Sequence, residues 1–186
     1  MKKLITFFSL GFLALFLFTV FETISSPANS QSQHFRVKSH PKFDKKFFGK
    51  TFVIDGDSIN VAGKEVRLVG IDAPEYKQNC FDEKNEEYSC GQISRDFLTE
   101  LIGEKKVTCA FSGKDKYERY LGKCFIGEVS INEEILKNGM AVIYDFNETD
   151  EKMEKLEAQA KSKKLGIWRG AFQLPKEYRK QNPRSI

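Results

Sequence analysis

Histidine is almost missing from this chain, with two in 186 residues. Both, His34 and His40, fall in residues 31–46, a polar stretch without periodicity that reads as a flexible linker. The domain that follows has none, which excludes a histidine-activated nucleophile and most transition-metal catalysis. Tryptophan occurs once, as Trp168, and is expected to plug the core rather than form a binding platform. The four cysteines lack the close C-x-x-C pairs of a zinc site. There are no internal repeats. A strong excess of one charge is also absent: the net charge of +4 is compatible with a polyanionic partner but does not point to one.

What is present begins at the N-terminus. Lys2 and Lys3 precede an apolar run from Leu4 to Phe21, followed by SSPANSQSQ with Ala28 and Ser30 as small residues for cleavage. Residues 1–30 thus have the layout of a signal peptide. The run also reaches the roughly 18-residue length that spans a bilayer, so an uncleaved membrane anchor is the alternative. Either way the domain is expected outside the cytoplasm, secreted or periplasmic, or held at the inner membrane. Cys80, Cys90, Cys109 and Cys124 all follow this segment, and an even count in an exported domain favours two disulfides over buried free thiols. Three pairings are open. Cys109 in KVTCAF and Cys124 in GKCFI lie on two apparent strands and are expected to face each other, leaving Cys80 with Cys90.

Alternation predicts three strands in KTFVIDG, SINVAG and KEVRLVGID, with Pro74 ending the third. A polar loop over residues 76–89 precedes a helix from Gly91 to Ile102, whose apolar stripe is Ile93, Phe97, Leu98, Leu101 and Ile102, stopped by Gly103. Strands follow at 106–111 and 119–126, then helices near 132–138 and from Thr149 or Asp150 to Lys164. The fold class is α+β: a five-stranded, partly closed barrel with about three packed helices, spanning residues 47–170. Residues 171–186 form a basic tail in which Lys176, Arg179, Lys180 and Arg184 oppose only Glu177.

The segment VIDGDSINVAGKEVRLVGIDAPE carries the chemistry. Asp57 sits in a turn and Asp72 ends the third strand, so both carboxylates can meet at one mouth of the barrel. Two carboxylates with a carbonyl and waters suit Ca²⁺, which takes six to eight oxygens in irregular geometry; alternatively, the DG pair only stabilises a hairpin. Glu75, three residues past Asp72, is placed to act as a general base on a water. Arg67 stands mid-strand, where a charge is costly unless it meets an acid or faces a site. Arg119, in DKYER, supplies a second guanidinium, and such groups bind phosphate oxygens bidentately. Either arginine can instead serve a structural salt bridge.

Five ordered motifs, VIDGDSI, VRLVGIDAPE, DKYERYLG, INEEILKNGMA and EAQAKSKKLGIW, resemble the staphylococcal nuclease (thermonuclease) family from about Thr51 to Trp168. The cysteine pattern is similar to that of exported four-cysteine bacterial homologues. The resemblance implies an OB-fold barrel, Ca²⁺ dependence, and cleavage of DNA and RNA to products with a 3′-phosphate and a 5′-hydroxyl. It implies Asp57, Asp72 and the backbone carbonyl of Ala73 as calcium ligands, Glu75 as general base, and Arg67 and Arg119 as phosphate-binding catalytic arginines. Tyr117, and also Tyr144, would lie beside the bound nucleotide. Two departures stand out: Glu118 replaces the usual glycine before Arg119, and a cysteine-bounded loop follows Glu75. The expected protein is therefore a monomeric Ca²⁺-dependent nuclease without a stable protein partner, touching membrane only through an uncleaved N-terminus. The alternative is a non-catalytic OB-fold module binding nucleic acid or protein in the cell envelope, which would have no need of the five charged site residues together.

Overall fold

Strand pairing follows the alternation read from the sequence, as seen in a computed structural model that describes residues 42–144 and 149–183. In chain order the strands are β1 (Lys45–Gly49), β2 (Thr51–Asp55), β3 (Ser58–Val61), β4 (Lys64–Leu68), β5 (Ile71–Asp72), and β6 (Cys80–Phe81) with β7 (Glu87–Tyr88). Helix α1 (Cys90–Ile102) precedes β8 (Val107–Lys114), β9 (Tyr120–Ile126) and β10 (Val129–Ser130). Then come α2 (Ile131–Lys137), β11 (Val142–Ile143), α3 (Glu151–Ser162), a 3₁₀ turn (Gly166–Arg169) and α4 (Pro175–Gln181).

The main sheet runs β1-β8-β9-β4-β3-β2, with β10 added beside β9. This is α+β as expected, but its path has six strands rather than five, and among the described residues no pairing joins its two ends into a closed barrel. The extra strand is β1. Lys45 and Lys46 were expected in the linker, because only Phe47 of KKFFG turns inward. Phe47 packs against Phe111 and Tyr120, each with ring centroids 5.3 Å away, and exposed lysines are usual on an edge strand. The β3–β4 hairpin turns at Ala62 and Gly63, both with positive φ (51° and 80°), the turn whose twist matches paired strands. Within β4, Val66 and Leu68 are fully buried while Arg67 between them faces the other way.

β4 and β9 pair in parallel, with Arg67 opposite Leu121. Arg119 lies two residues before Leu121, so period-two alternation sends both arginines out of the same face. On the opposite side Ile59, Val61, Val66 and Leu68 pack with Leu98, Ile102, Ile131 and Ile135 into one core. Asn132 pins three pieces of this fold together. Its Nδ2 donates to the Val69 carbonyl at 2.9 Å and its Oδ1 accepts from Cys124 N at 3.0 Å, all buried.

Helix α1 differs from its expected stripe. Its buried positions are Cys90, Gly91, Ser94, Leu98 and Ile102, and Ile93 is 39% exposed. Ser94 goes inside because its Oγ donates to the Met140 carbonyl at 2.7 Å, which satisfies a polar group that would otherwise be costly to bury. Asp150, rather than Thr149, caps α3 by accepting from Met153 N at 3.0 Å. Trp168 is only half-buried, stacked edge-on against Phe172 at 4.9 Å; Ile167 beside it is the residue that enters the interior. The disulfides are Cys80–Cys90 and Cys109–Cys124. The first closes the loop after Glu75, which is not wholly irregular but contains the β6–β7 ladder. The signal or anchor segment, residues 1–30, lies outside the described residues. No helix among those described is long and apolar enough to cross a membrane.

Candidate active site

The site forms where β2 hands over to β3. Gly56 makes the turn possible: a Cβ there would stand 2.4 Å from Ser94 Oγ and 2.7 Å from Ala73 Cβ. The turn thus lies flat on α1 and on the segment after β5, and Asp57 comes next. Asp57 is 6% exposed. Its Oδ2 accepts from Ala73 N at 2.7 Å, and its Oδ1 accepts from Ser58 Oγ at 3.2 Å and faces Arg67 Nη1 in an ion pair. Asp72, 1% exposed, is held in β5 by pairing with Val142 of β11.

Arg67 joins the two acids. While Nη1 meets Asp57, Nη2 donates to Asp72 Oδ1 at 2.9 Å and to the Ile71 carbonyl at 3.1 Å. Burial pushes this guanidinium below its ordinary pKa, and Arg119 and Arg179 push in the same direction, against the field of Asp72. The mid-strand charge has its partners, supplied by the fold rather than by sequence neighbours.

Glu75 follows Pro74 on a braced turn. Its N–H donates to Gln78 Oε1 at 3.2 Å and its carbonyl accepts from Gln78 N at 2.7 Å. Gly91, at the start of α1, lies directly against it, since a Cβ there would fall 1.8 Å from the Glu75 carbonyl oxygen. The Glu75 carboxylate accepts from Arg179 Nη1 at 2.9 Å.

Arg119 arrives from the far side. Residues 115–119 form a turn organised by Asp115, whose Oδ1 accepts from Tyr117 N at 2.9 Å and Arg119 N at 3.0 Å. Its Oδ2 accepts from Arg119 Nε at 2.9 Å. Burial alone would raise the Asp115 pKa, but the hydrogen bonds from Arg119 and Tyr117 outweigh it and hold the carboxyl below its ordinary value. Arg119 Nη1 reaches Ser58 Oγ at 3.5 Å, beside Asp57. Glu118 occupies the turn with φ 65°, the left-handed backbone that favours glycine. Its carboxylate turns outward to Lys114 Nζ at 3.1 Å, leaving the bonds of Arg119 intact.

Tyr117 is 66% exposed, with the Arg119 guanidinium 5.5 Å from its ring centroid. Tyr144, 49% exposed, donates its N–H to the Gly70 carbonyl at 3.1 Å, and Lys176 approaches its ring at 5.9 Å. These two contribute flat open surface near the charged cluster. Asp57, Arg67, Asp72, Ala73 and Glu75 are brought together, with Arg119 at their edge. Among the described residues no three His, Cys, Asp or Glu side chains converge as a protein-only metal centre.

One contributor lay in the segment set apart as a basic tail. Arg179 of α4 forks Asp72, with Nη1 to Oδ1 at 2.8 Å and Nη2 to Oδ2 at 3.0 Å, besides its bond to Glu75. Partial burial works against its charge, but Asp72 and Glu75 outweigh this and raise its pKa. The signal available in the sequence was the spacing of Lys176, Arg179 and Lys180, which puts basic residues along one side of a helix begun by Pro175.

A family model described as staphylococcal nuclease homologue matches residues 65–170, more than half the chain. The chain belongs to this family of OB-fold nucleases. It is 41% identical over 125 residues to succinoglycan biosynthesis protein ExoI of Rhizobium meliloti (strain 1021), covering 65% of this chain and 64% of that one, just short of two thirds of its length. It is 32% identical over 128 residues to an uncharacterized endonuclease of Escherichia coli, covering 66% and 77%. An uncharacterized endonuclease of Haemophilus influenzae is 32% identical over 135 residues, covering 69% and 70%.

Proposed function

We propose that this chain is a Ca²⁺-dependent nuclease that hydrolyses DNA and RNA phosphodiester bonds outside the cytoplasm. The observation that carries the reading is the convergence of Asp57, Arg67, Asp72 and Glu75, with Arg119 reaching the same turn. The donor set fits a hard cation. The described residues include no histidine and all four cysteines are in disulfides, so the site offers oxygen alone. The carboxylates also already gather positive groups, two guanidiniums on Asp72.

Asp57, Asp72 and the Ala73 carbonyl would hold Ca²⁺. When bound, the ion supplies a Lewis acid that polarises the phosphoryl oxygen and offsets its growing charge. Glu75 orients the attacking water and takes its proton. The water oxygen bonds to phosphorus as the bond to the 5′ oxygen breaks, and the departing 5′ oxygen takes a proton from solvent, giving a 3′-phosphate and a 5′-hydroxyl. Arg67 and Arg119 hold the equatorial oxygens, where charge accumulates in the transition state. Asp115 keeps Arg119 aimed, while Tyr117 and Tyr144 flank the nucleotide. The two disulfides support a periplasmic or secreted location.

The test incubates the oxidised full chain, in mild detergent, with single-stranded DNA or RNA. Ca²⁺, Ca²⁺ with excess EGTA, and the Glu75→Gln variant are compared. Cleavage with Ca²⁺ and loss in both other arms is expected. Cleavage that survives EGTA and Glu75→Gln overturns the mechanism. Binding without cleavage under every condition replaces it with the non-catalytic module.

A further inference from the structure

Arg179 lies beyond residues 65–170, the segment that the family model matches, yet it is bonded into the centre of the site. Asp72 receives three guanidinium hydrogen bonds, one from Arg67 and two from Arg179. A carboxylate has about four lone-pair positions, so these donors leave it roughly one. A divalent cation arriving at Asp72 would also face two guanidinium charges at contact distance, and one must yield.

The surroundings say which. The Arg67 side chain is 13% exposed and is gripped by Asp57, Asp72 and the Ile71 carbonyl. The Arg179 side chain is 33% exposed and sits on a seven-residue helix at the surface. That helix is fastened to the loop beside the site rather than to the core. Tyr178 Oη donates to the Lys77 carbonyl at 3.2 Å, and Gln78 Nε2 donates to the Gln173 carbonyl at 2.6 Å. Gln78 is also the residue that braces Glu75. Arg179 therefore has the wider route to solvent and can leave Asp72 while staying on Glu75, whereas Arg67 is the more enclosed of the two and is tied to both acids and its own strand.

We propose that Arg179 is the built-in cation of the metal-free site: it occupies Asp72 until a divalent cation displaces it, keeping its hold on Glu75 through Nη1. Docking of Arg179 on Asp72 and cation binding exclude each other, so the C-terminal helix sets the cation concentration at which the site loads. This rests on the reading of Asp57 and Asp72 as cation ligands.

The experiment titrates Ca²⁺ alone, without nucleic acid, into the full chain by calorimetry. Arg179→Ala is expected to bind Ca²⁺ on the order of tenfold more tightly than wild type, the scale for removing a unit charge about 5 Å from a dication in a well-solvated site. Arg179→Lys, which keeps charge without the fork, falls between, and carries the comparison if Arg179→Ala fails to fold. Lys180→Ala, on the same helix with its Nζ paired to Glu177 at 2.9 Å, changes affinity less than about threefold. By NMR, the Arg179 guanidinium protons are slow to exchange without Ca²⁺ and exchange faster at saturation, when only the bond to Glu75 remains. Equal or weaker Ca²⁺ binding by both Arg179 variants overturns the proposal, as does unchanged guanidinium exchange. An effect of Lys180→Ala as large as that of Arg179→Ala reduces it to bulk charge and overturns it too. Wild type that binds no Ca²⁺ removes the underlying cation reading as well; normal Ca²⁺ binding with indifferent variants removes only the role of Arg179.

Discussion

Gly91→Ala places the smallest possible wedge behind Glu75. The new Cβ would stand 1.8 Å from the Glu75 carbonyl oxygen, 2.7 Å from its carbonyl carbon and 2.9 Å from the Tyr76 carbonyl oxygen. Opening the first contact from 1.8 to an ordinary 3.4 Å takes about 1.6 Å of backbone movement. Neither side yields easily: Gly91 starts α1 beside the Cys80–Cys90 disulfide, and the Glu75 turn is tied to Gln78. Overpacking of this kind costs about 1–3 kcal/mol, partly offset by up to ~1 kcal/mol from replacing glycine in a helix. A displacement near 1 Å at a proton-transfer group lowers turnover about 10²-fold. Nuclease kcat for Gly91→Ala should fall by that order while Ca²⁺ affinity changes less, because Asp72 is fixed in β5 by its pairing with Val142 and Asp57 lies in the β2–β3 turn. Gly113→Ala is the control, since its Cβ would meet nothing within 4 Å. A folded Gly91→Ala protein with turnover within twofold of wild type would refute the reasoning.

Other substitutions test separate contacts. Asn132→Ala removes a buried amide that bonds Val69, Gly122 and Cys124, and should cost about 2–4 kcal/mol in denaturant unfolding; a loss under 0.5 kcal/mol would contradict the hub. Arg119→Lys should lower kcat/KM on the order of 10²-fold, because a point charge cannot hold Asp115 and an oxyanion together; wild-type kcat/KM would count against the role. Glu118→Gly should leave both Tm and turnover close to wild type, since relief of a left-handed residue is balanced by a freer unfolded chain; a large loss of turnover would show that the carboxylate itself matters. The Asp115 carboxyl is held below its ordinary pKa of 3.8, so its stabilisation is complete above that value and disappears as pH falls through the lower folded value. Asp115→Asn should therefore lower Tm at pH 6 and converge on wild type as pH falls below 3.8 and through the lower folded value; a deficit that stays constant as the pH falls would contradict the linkage.

Much of this was legible in the sequence because one side of each strand is buried. Val66, Arg67 and Leu68 show the alternation that sets the β4 register, while the roles of Asp57, Arg67 and Asp72 came from resemblance to the nuclease family, since the residues alone left a hairpin turn and a structural salt bridge open. Cys109 and Cys124 were expected to face each other on neighbouring strands, and the β8–β9 ladder pairs them directly. β1 was hidden because an edge strand needs only one inward side chain, Phe47. Ser94 displaced Ile93 from the α1 stripe because a hydrogen bond to the Met140 carbonyl made a hydroxyl the better buried neighbour. Arg179 was hidden for a different reason. Its partners lie more than a hundred residues away in the chain, and helical spacing reveals the face of a helix without revealing what that face meets.

The parallel pairing of β4 with β9 has a consequence for how this scaffold tolerates change. Arg67 and Arg119 leave one face of adjacent strands, so the gap between them is set by the spacing of neighbouring strands, about 4.8 Å, and by a two-residue offset in register. The disulfide-closed loop, α1 and the approach to β8 separate them along the chain yet lie outside that ruler, unlike β8 itself and the Asp115 turn that aims Arg119. Segments there can be lengthened, shortened or exchanged between relatives without changing the span across which the two guanidiniums grip. The cysteine-bounded loop after Glu75 is one such segment, and grafting or trimming at its β6–β7 tip is the place to begin reshaping this protein for other tasks.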